Sequence, residues 1–140
     1  MSNSIYFIDT NIFLYSIGRD HPLKSASVNV MHRIRDGKIT AVINTEIIQE
    51  ILYNFQSIKQ LSIGVRLAKD AVSISSRVLS VEEIDLSLAI ELLEAYPKIQ
   101  TRDAFHAATM IHNGIKEVIS TDPHFDLIQE IRRIDPVKLS

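Results

Sequence analysis

Four short runs rich in β-branched and other apolar residues alternate with stretches of helical spacing, and this alternation limits the folds open to the chain more than any other feature. Residues 5–8, 39–43, 78–81 and 117–120 have the length and composition of strands. Residues 5–8 are continuously apolar and end at a polar Asp-Thr-Asn, as in a strand buried on both faces. Between the first two runs, Leu23, Ala26, Val30, Met31 and Ile34 fall three or four residues apart, predicting a helix over 22–35 that ends at Asp36-Gly37. Helices are likewise predicted near Asn11, over 45–55, and from Ile58 onward, where Leu61, Val65, Ala68 and Val72 share a face despite Gly64. A further helix opens at Glu82-Glu83, where acids suit the helix dipole, and stops at Pro97. The last long one runs over 103–113, with Thr101 as its N-cap and Gly114 closing it. A short helix over 125–129 and an edge strand over 131–134 complete the chain. Strands separated by helices imply an α/β fold whose sheet, of four or five mainly parallel strands, is covered on both faces. With 140 residues and no linker or repeat, residues 1–140 form one domain.

Ligands of parallel sheets gather beyond the carboxyl ends of the strands, and several acids stand there. Asp9 directly follows the first strand and Asp122 lies two residues beyond the fourth. Glu46 and Glu50 follow the second, four apart and so on one helix face. Asp103 begins a helix whose other face is small and apolar. A carboxylate among hydrophobic neighbours costs several kcal/mol unless something positive meets it. No lysine or arginine adjoins Asp9, so a hard divalent cation is the economical partner. Two such ions about 4 Å apart can activate a water and stabilise the leaving oxygen of a phosphodiester. Each acid also has a plainer reading: Asp9 as a helix cap, Glu46 and Asp103 as first-turn acids, and Asp122 before Pro123 as a turn residue.

Other chemistries are excluded by what the chain lacks. Without cysteine there is no disulfide, thiol nucleophile or Cys-ligated metal. No nucleophile elbow or phosphate-cradling glycine pattern occurs. The five histidines have no ligand spacing; His106, three residues after Asp103, reads as a packed or surface residue more readily than as a member of the site. Asp9 and Asn11 interrupt the apolar N-terminus, which has no basic start, so neither a signal peptide nor a membrane span is expected and a cytoplasmic location follows by default. Seventeen acids against fifteen bases leave a net charge of −2, which speaks against nucleic-acid binding by bulk positive charge. Setting aside four metal-ligating acids, the remainder sums to +2.

The segments IYFIDTNIFLYS, TEIIQEILYNF, TRDAFHAATMIHNG and VISTDPHFDLI resemble, in order and spacing, the PIN domain, most closely the VapC-type ribonuclease toxins of toxin-antitoxin pairs. The resemblance implies a three-layer α/β/α domain binding Mg2+ or Mn2+ through clustered acids. It casts Asp9, Glu50, Asp103 and Asp122 as metal-binding and catalytic residues, with Asn11 supporting Asp9 and a hydroxyl of Ser120 or Thr121 assisting. Glu46 competes with Glu50 as the second acid or serves as an outer one, and Asp126 competes with Asp122 as the fourth, because His124 stands where many relatives carry an acid. Arg19 and Arg102, near the acid motifs, would contact RNA or simply neutralise the acids. A homodimer and an antitoxin that wraps the toxin and obstructs its site are also implied. Ile58, Leu61, Ile63 and Val65 spread over a wider arc than one packed face needs, which fits either a dimer contact or core packing. Two rival readings are a PIN-like module that binds RNA or protein without catalysis, and an aspartate-dependent α/β phosphatase, which would want an acid where Asn11 stands.

Overall fold

The computed structural model describes residues 4–139; residues 1–3 and Ser140, the ends of the expected single domain, lie outside the described residues. The strands are β1 (Ser4–Ile8), β2 (Ile39–Asn44), β3 (Arg77–Leu79), β4 (Glu117–Ile119) and β5 (Arg132–Ile134). They form one sheet in the order β3-β2-β1-β4-β5, parallel throughout. Helices α1 (Thr10–Ile17) and α2 (Lys24–Arg35) join β1 to β2, and α3 (Thr45–Ser57) and α4 (Leu61–Ile74) join β2 to β3. The return from β3 to β4 carries α5 (Glu83–Ala95) and α6 (Thr101–His112), so the sheet is flanked by helices as a three-layer α/β/α domain. No helix among the described residues is long and apolar enough to cross a membrane.

The chain builds outward from β1 through β2 to β3, then crosses back to place β4 on the other side of β1. The strand order therefore reverses between β1 and β4, where parallel sheets leave a crevice at their carboxyl ends. Phe7 pairs with Val118 and Ile8 with Ile119 across this line. Phe7, Ile8, Ile43, Val118 and Ile119 are completely buried and form the centre of the core with Phe13, Ile47, Met110 and Phe125.

Several boundaries differ from expectation for local reasons. Ile5 is 50% exposed, because β4 is short and pairs with β1 only from Phe7 onward. Lys59, at φ 60°, breaks the helical run after Ser57, and α4 starts afresh at Leu61. Gly64 lies on the buried side of α4 against Phe55, where a Cβ would come within 2.6 Å of the Phe55 Cβ, so its lack of a side chain lets α4 approach α3. Ile58, Leu61, Ile63 and Val65 are all substantially exposed, so core packing does not account for their wide apolar arc. Thr101 is the first residue of α6 rather than its cap; Gln100 holds the cap position without a side-chain bond. The short helix after β4 is a 3-10 turn over Pro123–Leu127, two residues earlier than expected.

Candidate metal centre at the strand ends

Asp9 enters the site because β1 ends one residue before it and α1 begins one residue after. Its backbone N–H donates to the Ile119 carbonyl (3.1 Å), which ties it to β4. Its Oδ1 accepts the Thr10 N–H (2.9 Å), so Asp9 is the N-cap of α1, and its Oδ2 accepts the Ser120 hydroxyl (2.6 Å). The capping reading of Asp9 holds and uses Oδ1, which leaves Oδ2 to Ser120. Ser120 also accepts the Asp122 N–H (2.9 Å), which turns the chain after β4 so that Asp122 comes to face Asp103.

Asp103 lies in the first turn of α6, is 1% exposed, and has no hydrogen-bond partner for Oδ2. Burial, together with the nearby charges of Asp122 and Asp9, pushes its pKa up to about 7. Burial also raises Asp9, although the charge of His106 and hydrogen bonds from Ser120 and Thr10 offset part of the rise. Among the described residues, no lysine or arginine forms an ion pair with Asp9, Asp103 or Asp122. A buried carboxylate oxygen without a partner, beside two further acids and with no lysine or arginine paired to them, fits a hard divalent cation.

Glu50 is held by the protein itself. Its Oε2 accepts the Thr10 hydroxyl and its Oε1 accepts a hydrogen bond from His106 Nε2 (2.9 Å). Burial alone would raise its pKa, but these bonds and the charges of His106 and Arg102 outweigh it, and the carboxyl is held below its ordinary value. His106 is completely buried and meets Asn44 Nδ2 on its other nitrogen, Nδ1 (3.1 Å). Asn44 caps α3 by accepting the Ile47 N–H on Oδ1 (3.0 Å), which leaves its amide nitrogen to face both His106 and Thr109 Oγ1 (3.0 Å). Nδ1 must therefore accept, and the proton of the neutral ring sits on Nε2, facing Glu50. Burial works against a second proton on His106, whereas Glu50, Asp9 and Asp103 favour it and set an upward direction. Asn44→Ala removes a helix cap, orphans His106 Nδ1 and leaves Thr109 Oγ1 only the bond it donates to the His106 carbonyl (2.9 Å); denaturant unfolding is expected to show a loss of about 2–4 kcal/mol. A loss no greater than that of an ordinary cap would disprove the coupling.

The remaining sequence-derived candidates fall into two groups. Glu46 and Arg102 line one hollow with Glu50, Gln49, Tyr53 and Asn54, so Glu46 stands outside Glu50 on the same helix face. Arg19 is exposed in a neighbouring groove of about 500 Å3 between α1 and the α3–α4 turn, and Asn54 borders both. Asp126 is drawn away from the acids by Arg133, which forks onto it (3.0 and 3.1 Å) and bonds the Ser120 carbonyl. Asn11 and Thr121 make no side-chain hydrogen bond among the described residues; Thr10 and Ser120, their immediate neighbours, supply the hydroxyls. Asn44, Thr10 and His106 were not legible as parts of this network. The signals available were the cap position of Asn44 before a helical run and the spacing of three between Asp103 and His106.

Residues 6–131, nearly the whole chain, match a known family described as PIN domain. The chain belongs to the PIN domain family. Ribonuclease VapC13 of Mycobacterium tuberculosis is 31% identical to this PIN domain over 128 residues, 91% of this chain and 97% of its own, and a VapC ribonuclease of Mycobacterium bovis matches it equally well. Among solved structures, Mycobacterium tuberculosis VapC20, described as a sarcin-ricin loop cleaving toxin, superimposes with a TM-score of 0.72 at 19% identity, covering 91% of this chain and 97% of its own. The VapBC2 complex of Rickettsia felis, bound to a DNA fragment from their promoter, gives 0.70 at 18% identity, covering 93% and 97%. At those identities the solved structures speak for the PIN fold.

Proposed function

We propose that this PIN domain is a metal-dependent endoribonuclease, the toxin of a type II toxin-antitoxin pair, acting in the cytoplasm with Mg2+ or Mn2+. The observation that carries the metal-dependent chemistry is the unpartnered, buried Asp103 oxygen among three carboxylates, in a chain 31% identical to VapC ribonucleases. Asp9, Asp103 and Asp122 would hold the cation, with Glu50 beside them. When bound, the cation supplies positive charge for phosphodiester hydrolysis.

The chain's own residues do the positioning. Ser120 orients one oxygen of Asp9, and Thr10 orients the other through its backbone N–H. Thr10 and His106 fix both oxygens of Glu50, keeping it ionised and ready to accept a proton or bind an ordered water. Arg102, exposed beside Glu50, and Arg19, in the adjoining groove, are the candidate contacts to RNA phosphates.

The same comparisons support the antitoxin part of the partner reading. Solved neighbours include toxin-antitoxin complexes, and this chain exposes Ile58, Leu61, Ile63, Val65 and Val72, with an apolar groove lined by Ile48, Leu52 and Val65 between α3 and α4. These surfaces are proposed to serve a homodimer and a cognate antitoxin. The direct test is cleavage of structured RNAs with added Mg2+ or Mn2+. Wild type is expected to cleave and Asp9→Asn to lose at least about 100-fold in rate. Equal behaviour of the two proteins, together with no divalent-ion binding, would show the enzyme reading to be wrong. Growth arrest on expression that disappears in Asp9→Asn would link the cleavage to toxicity.

A further inference from the structure

We infer that His124 is a nitrogen ligand of the cation held by Asp103 and Asp122, and that it biases the centre toward Mn2+ over Mg2+; the inference rests on the metal-dependent reading above. One carboxylate oxygen of Asp103, one of Asp122 and a ring nitrogen of His124 all lie within 4.8 Å of one another, close enough to surround a single ion. Nδ1 of His124 is buried and makes no hydrogen bond, although Asp122 Oδ1 is only 3.0 Å away. That oxygen accepts the His124 backbone N–H at 2.9 Å, which fixes Asp122 beside the ring. Asp103 Oδ2 is a second buried atom of the same trio with no partner. While Asp103 is ionised and Nδ1 carries no proton, neither atom has a donor facing it, and one bound cation would satisfy both.

The position is held in advance. Asp122 caps the 3-10 turn that carries His124, and the adjacent Phe125 is completely buried in the core. The imidazole as a whole is 43% exposed, so Nε2 can carry the proton in contact with water, leaving the Nδ1 lone pair free. Mg2+ strongly prefers oxygen ligands, whereas imidazole binds better to transition-metal ions, of which Mn2+ also accepts the carboxylates.

The test uses Mn2+ itself, read by calorimetry and by pulsed electron paramagnetic resonance of the bound ion. Wild type is expected to bind Mn2+ with a directly coordinated nitrogen. His124→Phe should lose that nitrogen signal and about 10–100-fold in Mn2+ affinity, with only a few-fold change for Mg2+. His124→Asp should recover Mn2+ affinity without the nitrogen signal. Mn2+ bound by wild type with no nitrogen signal, and unchanged by His124→Phe, overturns the role of His124 and leaves the metal-dependent reading standing. No Mn2+ binding by wild type overturns both.

Discussion

Replacing Asp103 with asparagine is expected to make the metal-free protein more stable at pH 8 while lowering RNA cleavage by at least about 100-fold. The two effects have one origin. Asp103 is buried, faces the charges of Asp122 and Asp9, and lacks a partner for Oδ2, so its carboxylate is disfavoured in the fold until a cation arrives. Asparagine has the same shape, carries no charge, and can donate to a neighbouring carboxylate. Thermal unfolding with a chelator present should show a rise of about 4 °C or more, the scale of roughly 1 kcal/mol for a domain of this length. The stabilisation that divalent ions give wild type should vanish in the variant. A metal-free variant less stable than wild type would mean that the Asp103 charge is compensated within the protein.

Divalent ions are expected to stabilise wild type much more at pH 8 than at pH 5, and the metal-free protein to lose stability between those values. The sign follows from Asp103, whose folded pKa of about 7 lies above its ordinary 3.8. Between those values the folded state keeps a proton that the unfolded chain has lost, so stability falls as pH rises toward 7 and levels above it. Asp9 and His106, both shifted upward, act in the same direction. Glu50 is shifted downward, so its contribution is lost only on acidification below this range. A cation must displace the Asp103 proton to bind, so its grip strengthens with pH. At a concentration about 100 times its dissociation constant an ion adds about 2.7 kcal/mol. Melting curves with chelator, Mg2+ and Mn2+ at both pH values would reveal this; an ion-induced shift that does not change with pH would refute it.

The sheet and its connections were legible because apolar runs and helical spacing report burial directly. Residues 5–8 and 39–43 lie on β1 and β2, the run 117–120 covers β4 with one residue to spare, and the weak edge strand is β5. Turn geometry was harder to see. The break at Lys59 depends on one positive φ, and the true start of α6 depends on a residue with no cap bond. At the site, acids following strands could be found by position alone. The network around them could not, because it joins residues far apart in sequence: Asn44 meets His106 and Thr10 meets Glu50. A hydroxyl or amide carries no periodic signal, and which of two adjacent residues makes a bond, Thr10 or Asn11, Ser120 or Thr121, depends on the direction in which the backbone leaves its strand.

The bond from Ser120 to Asp9 spans 111 residues of sequence, which has a bearing on how the protein is made. Synthesis delivers Asp9 almost at once, but β1 gains its β4 neighbour, and Asp9 its Ser120, only when nearly the whole chain has left the ribosome. Until then, Asp103 and Asp122 are also missing or still emerging. An unfinished chain thus carries Asp9 without the late residues that face it, and the acidic cluster assembles only once β4 and the turn after it have emerged.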